Sequence, residues 1–270
     1  MDINSVCWNL TNVCNKSCEY CFRELNEYAQ SYEVNLGILN NLKMMGVKRI
    51  TFSGGEPYLF PNILDLMKAA KQIGMTVYVV TNGSTLNKDN IKDCLEYVDK
   101  VSFSIDSPRG YINEKLGRGI DSYTHVRDLL PYIRELYDEN RLLIDINSVV
   151  TLDPTHEYQE LYYMLESISN ELYRYNINKW KIIRFYPLRG KAIDNKDMNW
   201  VPDEDFIEIE KNYSGNHYVH IDVRNIKDMD DDFIVSPCGY LKKSLNGKEE
   251  VLVDLKPALR DIKGSGRNVQ

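Results

Sequence analysis

Apolar residues recur along this chain in two alternating rhythms. Short runs with the period of a strand are SVCWNLT (5–11), KRITFS (48–53), TVYVVT (76–81), KVSFSID (100–106), LLIDINSVVT (142–151) and KWKIIRFYP (179–187). Stretches with helical spacing fall between them, near 34–45, 61–74, 88–97, 121–138 and 156–174. Strands in single strand–helix order predict an α/β fold with a parallel sheet and right-handed crossovers. Six such units are too few for a closed eightfold barrel, so the pattern predicts an open, partial (βα)6 TIM-like barrel. After residue 190 the rhythm breaks. Residues 202–213 read as a helix and 218–223 as a short strand, and the rest as charged loop ending in a mobile tail, KGSGRNVQ. The expected organisation is a barrel over 1–190 and a C-terminal extension over 191–270 that closes the substrate site.

With 43% apolar residues over 270 positions, the chain is able to bury a sizeable core. A net charge of −7 counts against a nucleic-acid-binding surface but leaves room for a local basic pocket. There is no run of eighteen apolar residues, and MDINSVCWNL carries neither a basic segment nor an apolar signal core. A cytoplasmic protein, off the membrane, is expected. In that compartment clustered cysteines act as metal or redox groups more often than as disulfides. Cys14, Cys18 and Cys21 cluster; Cys7, Cys94 and Cys238 do not.

Polar and glycine-rich residues gather where the strands end: TFSGGEP, VTNGS, SIDS and INSV, with the cysteines following the first strand. That rim carries function in parallel barrels. Three thiolates in the spacing CX3CX2C suit a [4Fe–4S] cluster whose fourth iron stays open to a ligand. Three cysteines completed by a histidine would also hold zinc. His125, His156, His217 and His220 lack metal spacing with the cysteines. In Gly54-Gly55-Glu56-Pro57 the glycines let backbone approach a ligand and the proline stiffens the turn.

CNKSCEYC after the first strand and SGGEP after the second resemble the radical S-adenosylmethionine superfamily. Taken in order, WNLTNVCNKSCEYCF, ITFSGGEPYL, VVTNGS, SFSIDS, LGRG, INSVV and KWKIIRFYPL are similar to the viperin-like nucleotide dehydratases. The similarity covers residues 5–190, with weaker traces in DDFIVSPCGYLKKSLNGK. It implies a [4Fe–4S] cluster on Cys14, Cys18 and Cys21, with S-adenosylmethionine at the open iron. Gly54, Gly55, Glu56 and Pro57 would receive the methionine amino group, and Tyr20, Asn82, Ser104, Ser107, Arg118 and Asn147 would complete the cofactor site. Arg49, Arg118, Lys179 and Lys181 would meet a triphosphate. Lys181, with Tyr240 from the family's C-terminal lid, is a candidate catalytic residue. The implied reaction takes the ribose 4′ hydrogen of CTP, GTP or UTP, and the 3′ hydroxyl leaves as water after one more electron and a proton. The product, a 3′-deoxy-3′,4′-didehydro nucleotide, terminates chains in antiviral, antiphage defence. A flavodoxin or ferredoxin as reductant and a monomeric state follow from the same resemblance. The amphipathic membrane helix of the animal members is not seen in these residues, so a soluble, prokaryotic-type member is expected.

Alternation puts Lys179 and Lys181 on one strand face. Either both point outward with Trp180 in the core, or both enter the barrel interior, where an anion must meet them. The resemblance points to the interior. The chain departs from the family pattern at Asp145, where a lysine is usual, and at Cys7, where an asparagine is usual. Asp145 implies a different base, fewer phosphates, or compensation by Arg49, Arg184 or Arg189. A peptide-modifying radical enzyme and a non-catalytic cluster protein are the competing readings. The former usually carries further C-terminal cysteines, whereas here only Cys238 lies beyond residue 100.

Overall fold

The computed structural model describes residues 3–23, 26–151, 166–172, 174–213, 219–225, 233–245 and 248–256. Six parallel strands stand side by side in chain order: β1 (Ser5–Thr11), β2 (Arg49–Gly54), β3 (Thr76–Thr81), β4 (Lys100–Ser104), β5 (Leu143–Val150) and β6 (Lys179–Arg184). Five of them lie within the run predicted for them, and β2 extends one residue past its run, to Gly54. β7 (His220–Arg224) adds a further parallel strand beside β6. At the other edge β8 (Phe233–Val235) pairs parallel to β1, and β9 (Tyr240–Leu245) and β10 (Lys248–Asp254) follow antiparallel. The sheet therefore runs β10-β9-β8-β1-β2-β3-β4-β5-β6-β7 and is not closed by hydrogen bonds. It is the partial barrel of the sequence pattern, widened at both edges by residues beyond 190.

The helices are α1 (Tyr32–Met44), α2 (Ile63–Gln72), α3 (Ile91–Leu95), α4 (Gly110–Lys115), α5 (Ser122–Leu136), α6 (166–172), α7 (Lys191–Asp194), α8 (Lys196–Asn199) and α9 (Asp203–Tyr213). α1 starts because the Ser31 hydroxyl accepts the Val34 N–H, and its apolar positions Ile38, Leu39 and Leu42 are buried. Each strand turns one side-chain row toward these helices: Ile50 and Phe52, Val77 and Val79, Val101 and Phe103, Ile144 and Ile146, Trp180 and Ile182, all fully buried. Burial of each such side chain contributes about 1.5–3 kcal/mol. The opposite row faces the barrel interior and is largely polar, with Asn9, Ser53, Ser104, Asp145, Asn147, Lys179 and Lys181 beside the apolar Val80, Val149 and Ile183. Trp180 settles the direction. It stacks edge-on to Tyr213 of α9 and donates its indole N–H to Ser148 Oγ at 2.9 Å, so both lysines face inward.

The segment after β7 differs from the predicted charged loop, because it contains β8, β9 and β10. β8 is three residues long, and Val251, Leu252 and Val253 of β10 remain exposed. Local alternation carries little signal there; the free edge of β1 supplies the hydrogen-bonding partner. The helix expected over 156–174 lies largely outside the described residues, as do His156, His217 and the tail.

Candidate active site

β1 ends in an irregular pairing with β2 between Asn9 and Thr11, and the chain then leaves the sheet for the cysteine loop. Two glycines let β2 press against that exit. A Cβ on Gly54, at φ +119°, would lie 2.5 Å from the Thr11 carbonyl oxygen, and one on Gly55 2.1 Å from that of Val13. The Gly55 N–H donates to Thr11 O at 2.5 Å and the Glu56 N–H to Val13 O at 2.8 Å. No other residue fits this approach.

The Glu56 side chain works behind the wall. It is fully buried and accepts from Thr81 Oγ1 (2.7 Å), the Asn82 N–H (2.8 Å) and the Tyr58 N–H (3.3 Å). Burial pushes its carboxyl above the ordinary range, against these donors. Asn82, held in this way, reaches Asn15 Oδ1 at 3.1 Å and Cys14 Sγ at 3.8 Å. Pro57 opens a short 3-10 turn, also buried.

A second approach fixes the far side of the cysteine loop. The Ser17 N–H donates to Gly117 O (3.1 Å) and the Glu19 N–H to Leu116 O (3.0 Å). The turn then brings Arg118 to a buried cluster. Arg118 Nε lies 2.5 Å from Asp106 Oδ2 and 2.6 Å from the Tyr20 hydroxyl, which itself donates to Asp106. Burial raises the Tyr20 hydroxyl well above its ordinary range, against Arg118. Burial also raises the Cys18 thiol, against Arg118. From the extension, Lys191 bonds Ser17 Oγ and Glu19, and Asn195 bonds Glu19.

These elements enclose one cavity of about 270 Å³. Its wall brings together Cys14, Cys18, Cys21, Tyr20, Gly54 and Gly55 with Asn82, Ser104, Arg118 and Asn147. Ile234, Ser236, Pro237, Lys242 and Glu249 complete it from the extension. Glu56, Pro57 and Ser107 stand behind the wall; the Ser107 hydroxyl accepts the Arg109 N–H at 2.9 Å. Lys179 and Lys181 lie deeper, because Lys181 precedes the wall residue Ile183 by two positions on the same face. Tyr240 does not line the wall; Lys256 Nζ sits 3.9 Å from its ring centroid. Arg49 is not brought to the cavity. It is the first residue of β2, exposed against Tyr78, at the end opposite Gly54 and roughly 16 Å from it along the strand.

The interior below the cavity is charged. Asp145 pairs with Lys100 at 2.7 Å and accepts from Asn178 at 2.9 Å. Lys179 pairs with Asp222 at 3.3 Å. Lys181 makes no ion pair or hydrogen bond among the described residues, and burial, with Lys100 nearby, pushes its ammonium pKa below the ordinary range. Arg184 is held by Asp203 at 2.7 Å and by the Trp200 and Phe206 rings, and Arg189 by Glu249. His125 is structural, its Nε2 lying 2.9 Å from Leu86 O.

The donor set suits a cluster with a bound amino-acid cofactor. Among the described residues no three histidine, cysteine or acidic side chains converge as they would around one ion. Cys14, Cys18 and Cys21 reach the same cavity, and soft thiolates suit an iron–sulfur cluster. Asn147 Oδ1, buried in the cavity wall, has no partner of its own.

Sequence reasoning passed over Asp106, although it lies inside the SIDS stretch between two residues it did select. It also passed over Lys100, Lys191, Lys242 and Glu249, whose roles depend on partners remote in the chain.

An open parallel barrel with three thiols gathered at one rim suits the class of enzyme that works with an iron–sulfur cluster. The model of the Radical SAM superfamily matches residues 8–168. The S-adenosylmethionine-dependent nucleotide dehydratase of Flammeovirga pacifica is 30% identical over 254 residues, covering 91% of this chain and 84% of that protein. A protein of the same description from Lacinutrix mariniflava is 29% identical, but the chain spans only 43% of its length. Among solved structures, Streptococcus suis SuiB bound to S-adenosylmethionine superposes with a TM-score of 0.68 at 14% identity, covering 97% of this chain and 65% of that one. The chain belongs to the radical SAM superfamily and, within it, to the viperin-like S-adenosylmethionine-dependent nucleotide dehydratases. It is an enzyme of that type, with a [4Fe–4S] cluster and S-adenosylmethionine as the family's cofactors.

Proposed function

We propose that this enzyme dehydrates a ribonucleoside triphosphate, CTP, GTP or UTP, to the 3′-deoxy-3′,4′-didehydro form. The product acts as a chain terminator in antiviral, antiphage defence. The observation that carries the substrate reading is Lys181: a half-buried ammonium with no ion-pair partner among the described residues, two positions from the cavity-wall residue Ile183 on the same strand face. A partly desolvated, unpaired cation is costly, and an arriving phosphate relieves it. Lys179 and Arg224 add positive charge beside it. The nucleotide-dehydratase relatives support the same substrate class.

Bound at this rim, the cluster and S-adenosylmethionine would supply hydrogen-atom abstraction chemistry for the ribose 4′ position. The chain's own residues bind and orient. Cys14, Cys18 and Cys21 would ligate the cluster, and Gly54 and Gly55 leave room for the methionine end. Arg118, Ser104, Asn82 and Asn147 would hold the rest of the cofactor. Lys181 would anchor phosphate so that the ribose faces the cofactor. Residues 191–270 form the closing extension, a reading supported by Lys242 and Glu249 in the cavity wall. Tyr240 stands outside the cavity wall, two residues from Lys242 on the same strand, and is kept as a candidate catalytic residue of that extension. A flavodoxin- or ferredoxin-type carrier delivers the electrons to a monomeric, cytoplasmic enzyme. Among the described residues no helix is long and apolar enough to cross a membrane.

The test is anaerobic turnover of the reconstituted enzyme with CTP, GTP, UTP and ATP offered separately. A product lighter by one water, formed together with 5′-deoxyadenosine, supports the reading and names the base. Formation of 5′-deoxyadenosine with no dehydrated nucleotide overturns it.

A further inference from the structure

We propose that Asp106 is a positioning residue for S-adenosylmethionine: it aims the Arg118 guanidinium into the cavity and locks three parts of the cofactor wall into one frame. Asp106 is the first residue but one after β4, and its side chain is fully buried. Its Oδ2 takes Arg118 Nε at 2.5 Å and the Tyr20 hydroxyl. Its Oδ1 takes the Val149 N–H at 2.9 Å. These partners come from three separate segments: the cysteine loop, the LGRG turn and the end of β5. All three line the cavity.

The geometry assigns a direction as well as a joint. Arg118 spends its Nε on Asp106 and Tyr20, and its two Nη groups have no hydrogen-bond partner among the described residues. A guanidinium held by one edge presents its other edge as a planar fork, the shape that fits a carboxylate. S-adenosylmethionine carries one. The Asp106 charge also lets Arg118 remain buried at 9% exposure without being an uncompensated cation before the ligand arrives. A purely structural ion pair would not need to join three cavity-lining segments.

The experiment measures S-adenosylmethionine binding to anaerobic, iron-loaded protein by calorimetry, expressed per loaded cluster. It is accompanied by iron content, Tm and the electron paramagnetic resonance spectrum of the reduced cluster with and without the cofactor. Asp106→Asn keeps the size and removes the charge. It is expected to weaken binding about tenfold or more and to diminish the cofactor-induced spectral change. Arg118→Gln is expected to do the same, and the double variant to be no weaker than Arg118→Gln alone, because the first residue acts through the second. Additive losses overturn the proposal. So does unchanged affinity per cluster in Asp106→Asn, whatever happens to Tm. If Asp106→Asn fails to load iron, Asp106→Glu keeps the charge but displaces it. Weakened binding then supports the assignment and unchanged binding overturns it. No nucleotide enters these measurements, so they stand apart from the substrate reading.

Discussion

Lys100 and Asp145, on the adjacent strands β4 and β5, form a 2.7 Å ion pair inside the barrel, with the aspartate side chain fully buried. The pair explains how an acidic residue stands among cations without cancelling Lys181. Asp145 is committed to Lys100 and Asn178.

Breaking that pair from one side leaves a charge without its partner. Asp145→Asn is expected to lower stability by roughly 3 kcal/mol, read from urea unfolding. Adding Lys100→Met in the same chain should recover much of the loss. Full stability of the single variant would show that the pair is dispensable.

Lys181 is expected to trade stability for binding. Lys181→Met should raise Tm by about 2–4 °C at neutral pH and weaken triphosphate binding, with cluster absorbance unchanged. The pH dependence has a definite sign. Burial, then Lys100, lowers the folded-state pKa below 10.5, so the unfolded chain binds the proton more tightly. The penalty is fully present below the lowered pKa and fades as pH rises toward 10.5. The gap between variant and parent should therefore close in alkali. A constant gap would place the ammonium in water.

Gly117 has φ +74°, and a Cβ there would meet the Ser17 carbonyl oxygen at 2.2 Å. Gly117→Ala should push the LGRG turn off the cysteine loop. The expected result is native far-UV dichroism with reduced iron loading, and a stability loss of about 1–3 kcal/mol. Normal loading would mean the two loops tolerate separation.

Cys18 sits in a small apolar cluster with Tyr20, Ile112, Leu116, Phe185 and Ala192, apart from the main core. Cys18→Ala is therefore expected to fold, with Tm lowered by only a few degrees, and to lose both iron loading and cofactor cleavage. Iron binding measured on the purified variant decides the ligand assignment independently of turnover.

Much of this was legible in the chain itself. Strand and helix rhythms located β1 to β7 to within a few residues, because a two-residue alternation and a 3.6-residue period are properties of a short window. The spacing of Cys14, Cys18 and Cys21 and the Gly54-Gly55 pair were equally local: loop length sets how three sulfurs face one another, and only glycine survives so close an approach. Alternation also put Lys179 and Lys181 on one face, but left open which face it was. The packing of Trp180 on Tyr213 decided that. Tertiary structure alone gave Asp145 its partner Lys100, gathered Tyr20, Arg118 and Val149 on Asp106, placed Arg49 at the wrong end of its strand for the cavity, and paired β8 with β1. Each of these depends on strand register and on what fills the space between remote segments. A charge or a strand edge finds its partner only after the chain has folded.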